Sequence, residues 1–138
     1  MILESVKDCL EARQEWTREK ADAVEVDYRN FLNAAVALSD ANLSPTEDVD
    51  TFWHWHILDT RKYRKDCLNE FGVIVDHNPN PQAVSRYNEG DLDEFLLKSG
   101  ISRSDVSKFI ADAHYCDRSV SQVSHPPCTD QIDLTSKS

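Results

Sequence analysis

Mainly apolar side chains recur at helical spacing between residues 49 and 71. We call this set the apolar stripe, and it constrains the fold more than any other feature of the sequence. Most of its members lie three or four positions apart, as one face of an α-helix requires. They are Val49, Phe52, Trp53, His56, Thr60, Tyr63, Cys67 and Phe71. Gly72 follows and is suited to end the helix. The stretch exceeds an average helix of about 11–12 residues, so we expect a bend near Asp59 and Thr60.

A strong helix start precedes this stripe. Ser44 is followed directly by Pro45 and, three positions on, by Glu47. In such an arrangement the Ser side chain accepts a hydrogen bond from the N–H of Glu47, and the Glu side chain reaches back to the N–H of Ser44. Asp48 and Asp50 add negative charge at the positive end of the helix. The sequence therefore predicts a long helix that begins at Pro45, with Ser44 as its N-cap.

Helical spacing also recurs upstream. Residues 24–38 carry a second apolar stripe, and the apolar residues between 3 and 16 suggest an earlier helix. We expect an interruption or bend in the charged stretch 18–20. The second helix is expected to end near Asn42.

Two shorter helices are expected downstream. One covers residues 91–99 and ends at Gly100, and the other begins at Ser102 or Ser104. The β-branched run 73–75 has no partner strand of similar quality elsewhere in the sequence. These patterns predict an all-α fold.

Composition agrees with a helical fold. The chain has three glycines in 138 residues, too few for the many tight turns of a sandwich or barrel. We expect a compact bundle of about four to six helices around a central Trp/His-containing helix. Residues 1–117 should form this single domain. Residues 118–138, rich in Ser and Thr, should form an irregular, flexible tail.

The charge balance excludes some partners. With 25 acidic and 15 basic side chains, the net charge is −10, which disfavours binding to nucleic acid or to an anionic membrane. No apolar run reaches the roughly 18 residues of a membrane span, and the N-terminus lacks the pattern of a secretory signal. We therefore expect a cytoplasmic protein with reduced thiols. The sequence has no P-loop and indicates no nucleotide cofactor.

The segment Trp53-His54-Trp55-His56 carries the most chemical information. His56 falls in the middle of the apolar stripe, whereas His54 faces elsewhere, because residues two positions apart do not share a helix face. The four-residue spacing typical of helical metal sites is absent. A metal site would therefore need a distorted helix, or His56 combined with ligands from other elements.

We predict a transition-metal site on this basis. The candidate ligands are His56, His54, Asp59, His77 and Cys67. Two imidazoles and a carboxylate with open positions suit non-haem iron or catalytic zinc, and a thiolate suits softer metals. An open position on iron, zinc or copper would then be the reactive centre of a redox or hydrolytic enzyme, whose catalytic residues the sequence does not identify.

An alternative interpretation assigns the same helix a structural role. His56 would be a hydrogen-bonded core histidine, and Trp53 and Trp55 would be packing residues. The chain would then be a non-catalytic interaction module whose acidic surface recruits a basic partner. Small-molecule and protein or peptide partners both stay open, as does the oligomeric state.

A second metal site is conceivable near the C-terminus. His114, Cys116, His125 and Cys128 could form a tetrahedral zinc site, although their spacing matches no zinc-finger pattern. The competing interpretation is a solvated helix end followed by a loose tail.

The central segment resembles a known family. The run from Val49 to Tyr63, followed by Asp66-Cys67, Phe71-Gly72 and His77 to Pro79, is similar to the glycine-rich domain-containing protein-like family, a domain of unknown function. The resemblance covers about 30 residues. It implies a mainly helical domain and no particular activity. The residues at its motif positions are Asp50, Trp53, His54, His56, Asp59, Tyr63, Asp66, Cys67 and His77. The glycine-rich tract and cysteine-rich tail of some members are missing, and the sequence after Pro81 does not resemble the family.

Overall fold

The computed structural model describes residues 1–39, 41–78 and 85–111. In these residues the chain forms five α-helices and one 3-10 helix, with no β-strand. The α-helices are α1 (Glu4–Gln14), α2 (Arg18–Ala37), α3 (Glu47–Leu58), α4 (Thr60–Phe71) and α5 (Glu89–Ser99), and the 3-10 helix covers Arg103–Lys108. The all-α class expected from the sequence is confirmed.

Helix α3 lies at the centre of the bundle. It packs against α1, α2 and α4, while α5 packs against α2. Its buried face consists of Val49, Phe52, Trp53 and His56, each at most 3% exposed. The Trp/His helix therefore occupies the central position that its apolar stripe predicts.

The expected bend at Asp59 is a complete break between two helices. Asp59 has φ −89° and ψ 80°, outside the helical region, and its side chain accepts a hydrogen bond from the N–H of Lys62 at 3.3 Å. It thus separates α3 from α4 and caps the start of α4. Helix α4 packs against α3 and directs Tyr63 and Cys67 into the core.

The predicted N-cap at Ser44 is wrong. Helix α3 begins at Glu47, with Thr46 at the cap position and no side-chain cap hydrogen bond. The backbone of Ser44 makes tertiary contacts instead. Its N–H donates to Oγ of Ser85 at 2.8 Å, and its carbonyl accepts from the N–H of Ala111 at 2.7 Å. These bonds tie the segment before α3 to two later segments, so Ser44 does not take part in a cap.

The ends of α1 and α2 also differ from the expected positions. The break between them comes at Glu15, whose φ of 59° ends α1, just before the charged stretch at 18–20. Helix α2 ends at Ala37 rather than near Asn42. Asn42 instead forms an antiparallel bridge with Arg86. Non-local backbone pairing of this kind leaves no local signal in the sequence.

The downstream helices follow the sequence closely. Gly72 and Gly100 end α4 and α5 with φ of 74° and 70°, the left-handed conformation that glycine adopts most easily. Helix α5 begins at Glu89, two residues before the expected start. Ser102 caps the last element, which is a 3-10 helix.

Several predictions concern residues outside the described ranges. These are the tail over residues 118–138 and the second metal site of His114, Cys116, His125 and Cys128. Within the described ranges, no helix is long and apolar enough to cross a membrane.

Candidate functional site

His56 is fully buried and has a hydrogen-bond partner at each ring nitrogen. Nδ1 lies 2.6 Å from the hydroxyl oxygen of Tyr28, and Nε2 lies 2.8 Å from Oδ2 of Asp66. Because a carboxylate can only accept, Nε2 carries the proton and donates to Asp66, and Nδ1 accepts from the Tyr28 hydroxyl. Lys62 pairs with the same carboxylate oxygen at 3.0 Å. The imidazole therefore has no nitrogen left for a metal.

Burial and ion pairing determine the protonation states of His56, Asp66 and Tyr28. Burial lowers the pKa of His56 and outweighs the opposing effect of Asp66, so the imidazole is held neutral. Burial also acts to raise the pKa of Asp66, but the hydrogen bond from His56 and the Lys62 ammonium outweigh it and hold that pKa below its usual value. Burial raises the pKa of Tyr28, which keeps its proton for donation to His56.

Trp53 and Tyr63 connect the core to the segment that follows α4. Nε1 of Trp53 donates to the hydroxyl oxygen of Tyr63 at 2.9 Å, and the Tyr63 hydroxyl donates to the carbonyl of Val75. Burial raises the pKa of Tyr63, which keeps this proton in place. The pair thereby fixes the 73–77 segment against α3 and α4.

His77 lies on that segment and pairs with Asp50, in the first turn of α3. The distance from Nε2 of His77 to Oδ1 of Asp50 is 2.6 Å. The imidazole also packs against the Trp53 ring at a tilt of 37°, with ring centroids 4.2 Å apart. Since the carboxylate accepts from Nε2, the free lone pair of the ring is on Nδ1. Nδ1 has no hydrogen-bond partner among the described residues, so His77 can accept a hydrogen bond or a proton from a ligand.

His77 and Asp50 line a groove in the described part of the chain. Its volume is about 830 Å³, and it lies between the C-terminal part of α2, residues 41–45 and residues 71–78. Most of its lining is apolar and includes Phe31, Ala35, Val36, Leu43, Phe71 and Ile74. Asp76 adds a second carboxylate. The lining of the groove therefore combines apolar side chains with one imidazole and two carboxylates.

A smaller hollow of about 320 Å³ adjoins the same pair. Asp50 and His77 line it together with His54, Gln14 and Thr51. His54 is exposed, whereas His56 is buried. The two histidines of the Trp/His segment therefore lie in different environments, as their spacing on the helix predicts.

The predicted metal ligands are not assembled into one centre. His56 is held between Tyr28 and Asp66, Asp59 caps α4, and Cys67 is buried in the core. Only His54 and His77 share a hollow. Within residues 1–39, 41–78 and 85–111, no three His, Cys, Asp or Glu side chains form a group that could hold a metal ion.

Comparison with known proteins identifies the family. The UCP032817-like family model matches residues 3–92. The protein belongs to the UCP032817-like family. This uncharacterised family is not the glycine-rich domain-containing protein-like family. The resemblance inferred from the sequence was therefore wrong. Most of the residues that suggested it lie in α3 and α4. No curated protein and no solved structure matches the chain.

Both His–Asp pairs lie inside the UCP032817-like match, yet the sequence did not reveal either pairing. The interpretation of Asp50 as a helix-dipole residue missed its contact with His77, 27 positions away. Tyr28, 28 positions from His56, looked like an ordinary member of the α2 stripe. The motif positions Asp50, Asp66 and His77 were the only available signal, and they did not say which carboxylate meets which imidazole.

Proposed function

We propose that this UCP032817-like protein binds a small amphipathic molecule, with an apolar body and an amino head group, in the groove lined by His77 and Asp50. One observation carries the proposal. His77 is oriented by Asp50 and packs against Trp53 at a groove of about 830 Å³, and its Nδ1 has no hydrogen-bond partner among the described residues.

The size and walls of the groove support an organic ligand. Sites for small molecules typically measure about 300–1,000 Å³ and are mostly apolar with a few polar groups, and this groove of about 830 Å³ falls in that range. Val73 and Ile74, which are 52% and 39% exposed, leave apolar surface in contact with water along the groove. Covering such surface with the body of a ligand is favourable.

The polar groups favour a cationic head group that donates hydrogen bonds. Nδ1 of His77 is an acceptor, and the carboxylates of Asp50 and Asp76 attract positive charge. The net charge of −10 adds a long-range attraction for cations. A primary amine on an aromatic or alkyl body satisfies both halves of the groove, whereas a carboxylate on the same body would be repelled.

Titration calorimetry with three matched probes tests this proposal. Phenethylamine should bind saturably, phenethyl alcohol should bind more weakly, and hydrocinnamate should not bind. Asp50→Asn removes the carboxylate that orients His77 and should weaken phenethylamine binding by about tenfold or more. Asp91→Asn, at an exposed position in the first turn of α5, is the matched charge control and should bind as the wild type does.

A second pair of variants tests the location. Ser39 lines the groove and is exposed, so Ser39→Trp should block the groove without disturbing the core. Asn33→Trp places the same side chain at an exposed position within α2 that does not line the groove. Binding that survives Ser39→Trp, or the same affinity for all three probes, would contradict the proposal.

Metal binding and a cytoplasmic location stay predictions. Metal analysis of protein purified without an affinity tag tests the first. Near-stoichiometric iron, zinc or copper that is lost in His77→Gln and retained in His125→Ala would support a metal at the His77 hollow. Cell fractionation tests the second.

A further inference from the structure

Helix α4 carries an exposed basic stripe. Four of the five residues from Arg61 to Lys65 are basic, in a chain of net charge −10. Arg61, Arg64, Lys65 and Leu68 stand at positions i, i+3, i+4 and i+7, which is one face of a helix. The three basic side chains are exposed and have no ion-pair partner in the described ranges, and Leu68 is 48% exposed. We call these four residues the basic stripe.

Helix α5 carries the opposite pattern. Asp93, Glu94 and Leu97 share its outer face, and Leu97 is 85% exposed. We call these three residues the acidic stripe. Asp93 pairs with Arg103 and Glu94 with Lys98, but all four side chains are well exposed. Exposed ion pairs contribute little to stability, so these carboxylates can exchange their partners at low cost.

The two stripes are complementary in charge and in apolar content. Each has two or three like charges within about one helical turn, with a leucine one turn further towards the C-terminus. The spacing matches, because neighbours at i, i+3 and i+4 lie about 5–6 Å apart on any helix. We propose that the protein self-associates, with the basic stripe of one copy docked on the acidic stripe of a second copy.

The geometry sets the strength and the form of this association. A single pair of helix faces buries less than the roughly 800 Å² per partner of a standard interface, so the association is weak and depends on concentration. The two stripes are different surfaces, so the contact is heterologous and copies add head to tail. Salt weakens it, because the Debye length falls from about 10 Å at 0.1 M to about 3 Å at 1 M. This inference does not depend on the ligand groove.

Sedimentation velocity of the full chain tests the proposal. The weight-average mass of the wild type should rise with protein concentration at low salt and return to that of the monomer at high salt. A double variant, Arg64→Glu with Lys65→Glu, should raise the dissociation constant by about tenfold or more, since like charges would face each other. Asp93→Lys with Glu94→Lys should do the same from the other side.

Mixing the two reversed variants is the decisive arm. Each should be monomeric alone, and together they should associate, because each reversed stripe then meets its complement. The control is Arg13→Glu with Arg86→Glu, at exposed positions outside both stripes. It changes the net charge by the same amount as Arg64→Glu with Lys65→Glu. Its dissociation constant should differ from that of the wild type by less than twofold. Leu97→Ser tests the apolar half without a charge change and should weaken association. A wild type that stays monomeric at every concentration and salt, or mixed variants that do not associate, would overturn the proposal.

Discussion

Two His–Asp pairs lie within this small bundle, and they differ in what remains free. His56 is fully buried, and both of its ring nitrogens are used, one by Tyr28 and one by Asp66. The side chain of His77 is 22% exposed, and only its Nε2 is used, by Asp50. The same two residue types therefore build a closed polar centre in one place and an open one in the other.

The comparison shows that burial and partner count, rather than residue type, decide what a histidine can do. The sequence drew attention to His56 because it lies in the apolar stripe. That position places the ring in the core, where buried polar groups must be hydrogen-bonded. His77 comes from a loop, where side chains remain accessible to ligands. Mutation can separate the pair in the core from the pair that we propose binds a ligand.

The largest difference is expected for truncation in the core. His56→Ala removes a buried ring, leaves the Tyr28 hydroxyl without its acceptor and leaves the Asp66 carboxylate with Lys62 alone. We expect the free energy of unfolding to fall by about 3–5 kcal/mol, measured by urea denaturation. His77→Ala should lower it by less than about 1 kcal/mol. Equal losses in the two variants would show that the two pairs do not differ as described.

A smaller effect is expected at the connection between the two regions. Tyr63→Phe leaves the Trp53 N–H and the Val75 carbonyl without their hydrogen bonds, at a cost of about 1–3 kcal/mol. The amides of residues 73–77 should then exchange faster with deuterium. Tyr28→Phe is the matched control, since it removes a buried hydroxyl next to His56 and keeps the hydrogen bond from Tyr63 to the Val75 carbonyl. Faster exchange at 73–77 in both variants would argue against a specific role for Tyr63.

The pH dependence of the free energy of unfolding tests the His56–Asp66 pair. The pKa of His56 is lower in the folded chain than its ordinary value of about 6.5, so the unfolded chain binds more protons below that pH. Stability is therefore fully present above about pH 6.5 and falls as the pH drops below it, by at most about 1.4 kcal/mol per pH unit for one group. Asp66 adds a second loss below about pH 3.8, its ordinary value.

Urea denaturation between pH 7.5 and pH 5 measures this slope. His56→Gln should remove the part that His56 contributes, and His54→Gln, at an exposed position of the same helix, should leave it unchanged. A slope that survives in His56→Gln would assign the pH dependence to other groups.

The smallest effect on stability should come with a clear effect on binding. His77→Gln keeps a polar side chain at a partly exposed position and should change the free energy of unfolding by less than about 0.5 kcal/mol. Phenethylamine affinity should nevertheless fall by about tenfold, because the oriented acceptor at Nδ1 is lost. Calorimetry on this variant and on His54→Gln measures the contrast. Unchanged affinity in His77→Gln would remove the imidazole from the proposed site.

Local features of the sequence were predicted well where the chain determines them locally. The 3.6-residue periodicity identified α2 and the stretch that becomes α3 and α4, and Gly72 and Gly100 marked helix ends. A bend near Asp59 was expected from length, and the structure has a complete break there. The cap at Ser44 was not predicted correctly, because hydrogen bonds to Ser85 and Ala111 occupy its backbone. Those partners are 41 and 67 positions away and leave no local pattern.

By itself, the sequence determined that this chain is helical, acidic and built around a Trp/His helix, because periodicity, scarce glycine and charge are properties of neighbouring residues. It also indicated that His54 and His56 face different environments if the helix is regular. Only the tertiary structure decided that Tyr28 and Asp66 occupy both ring nitrogens of His56. It also decided that Asp50 occupies one ring nitrogen of His77 beside a groove. Those contacts join residues 10 to 28 positions apart on different elements. Their partners are chosen by how the helices pack rather than by what stands next to them in the chain.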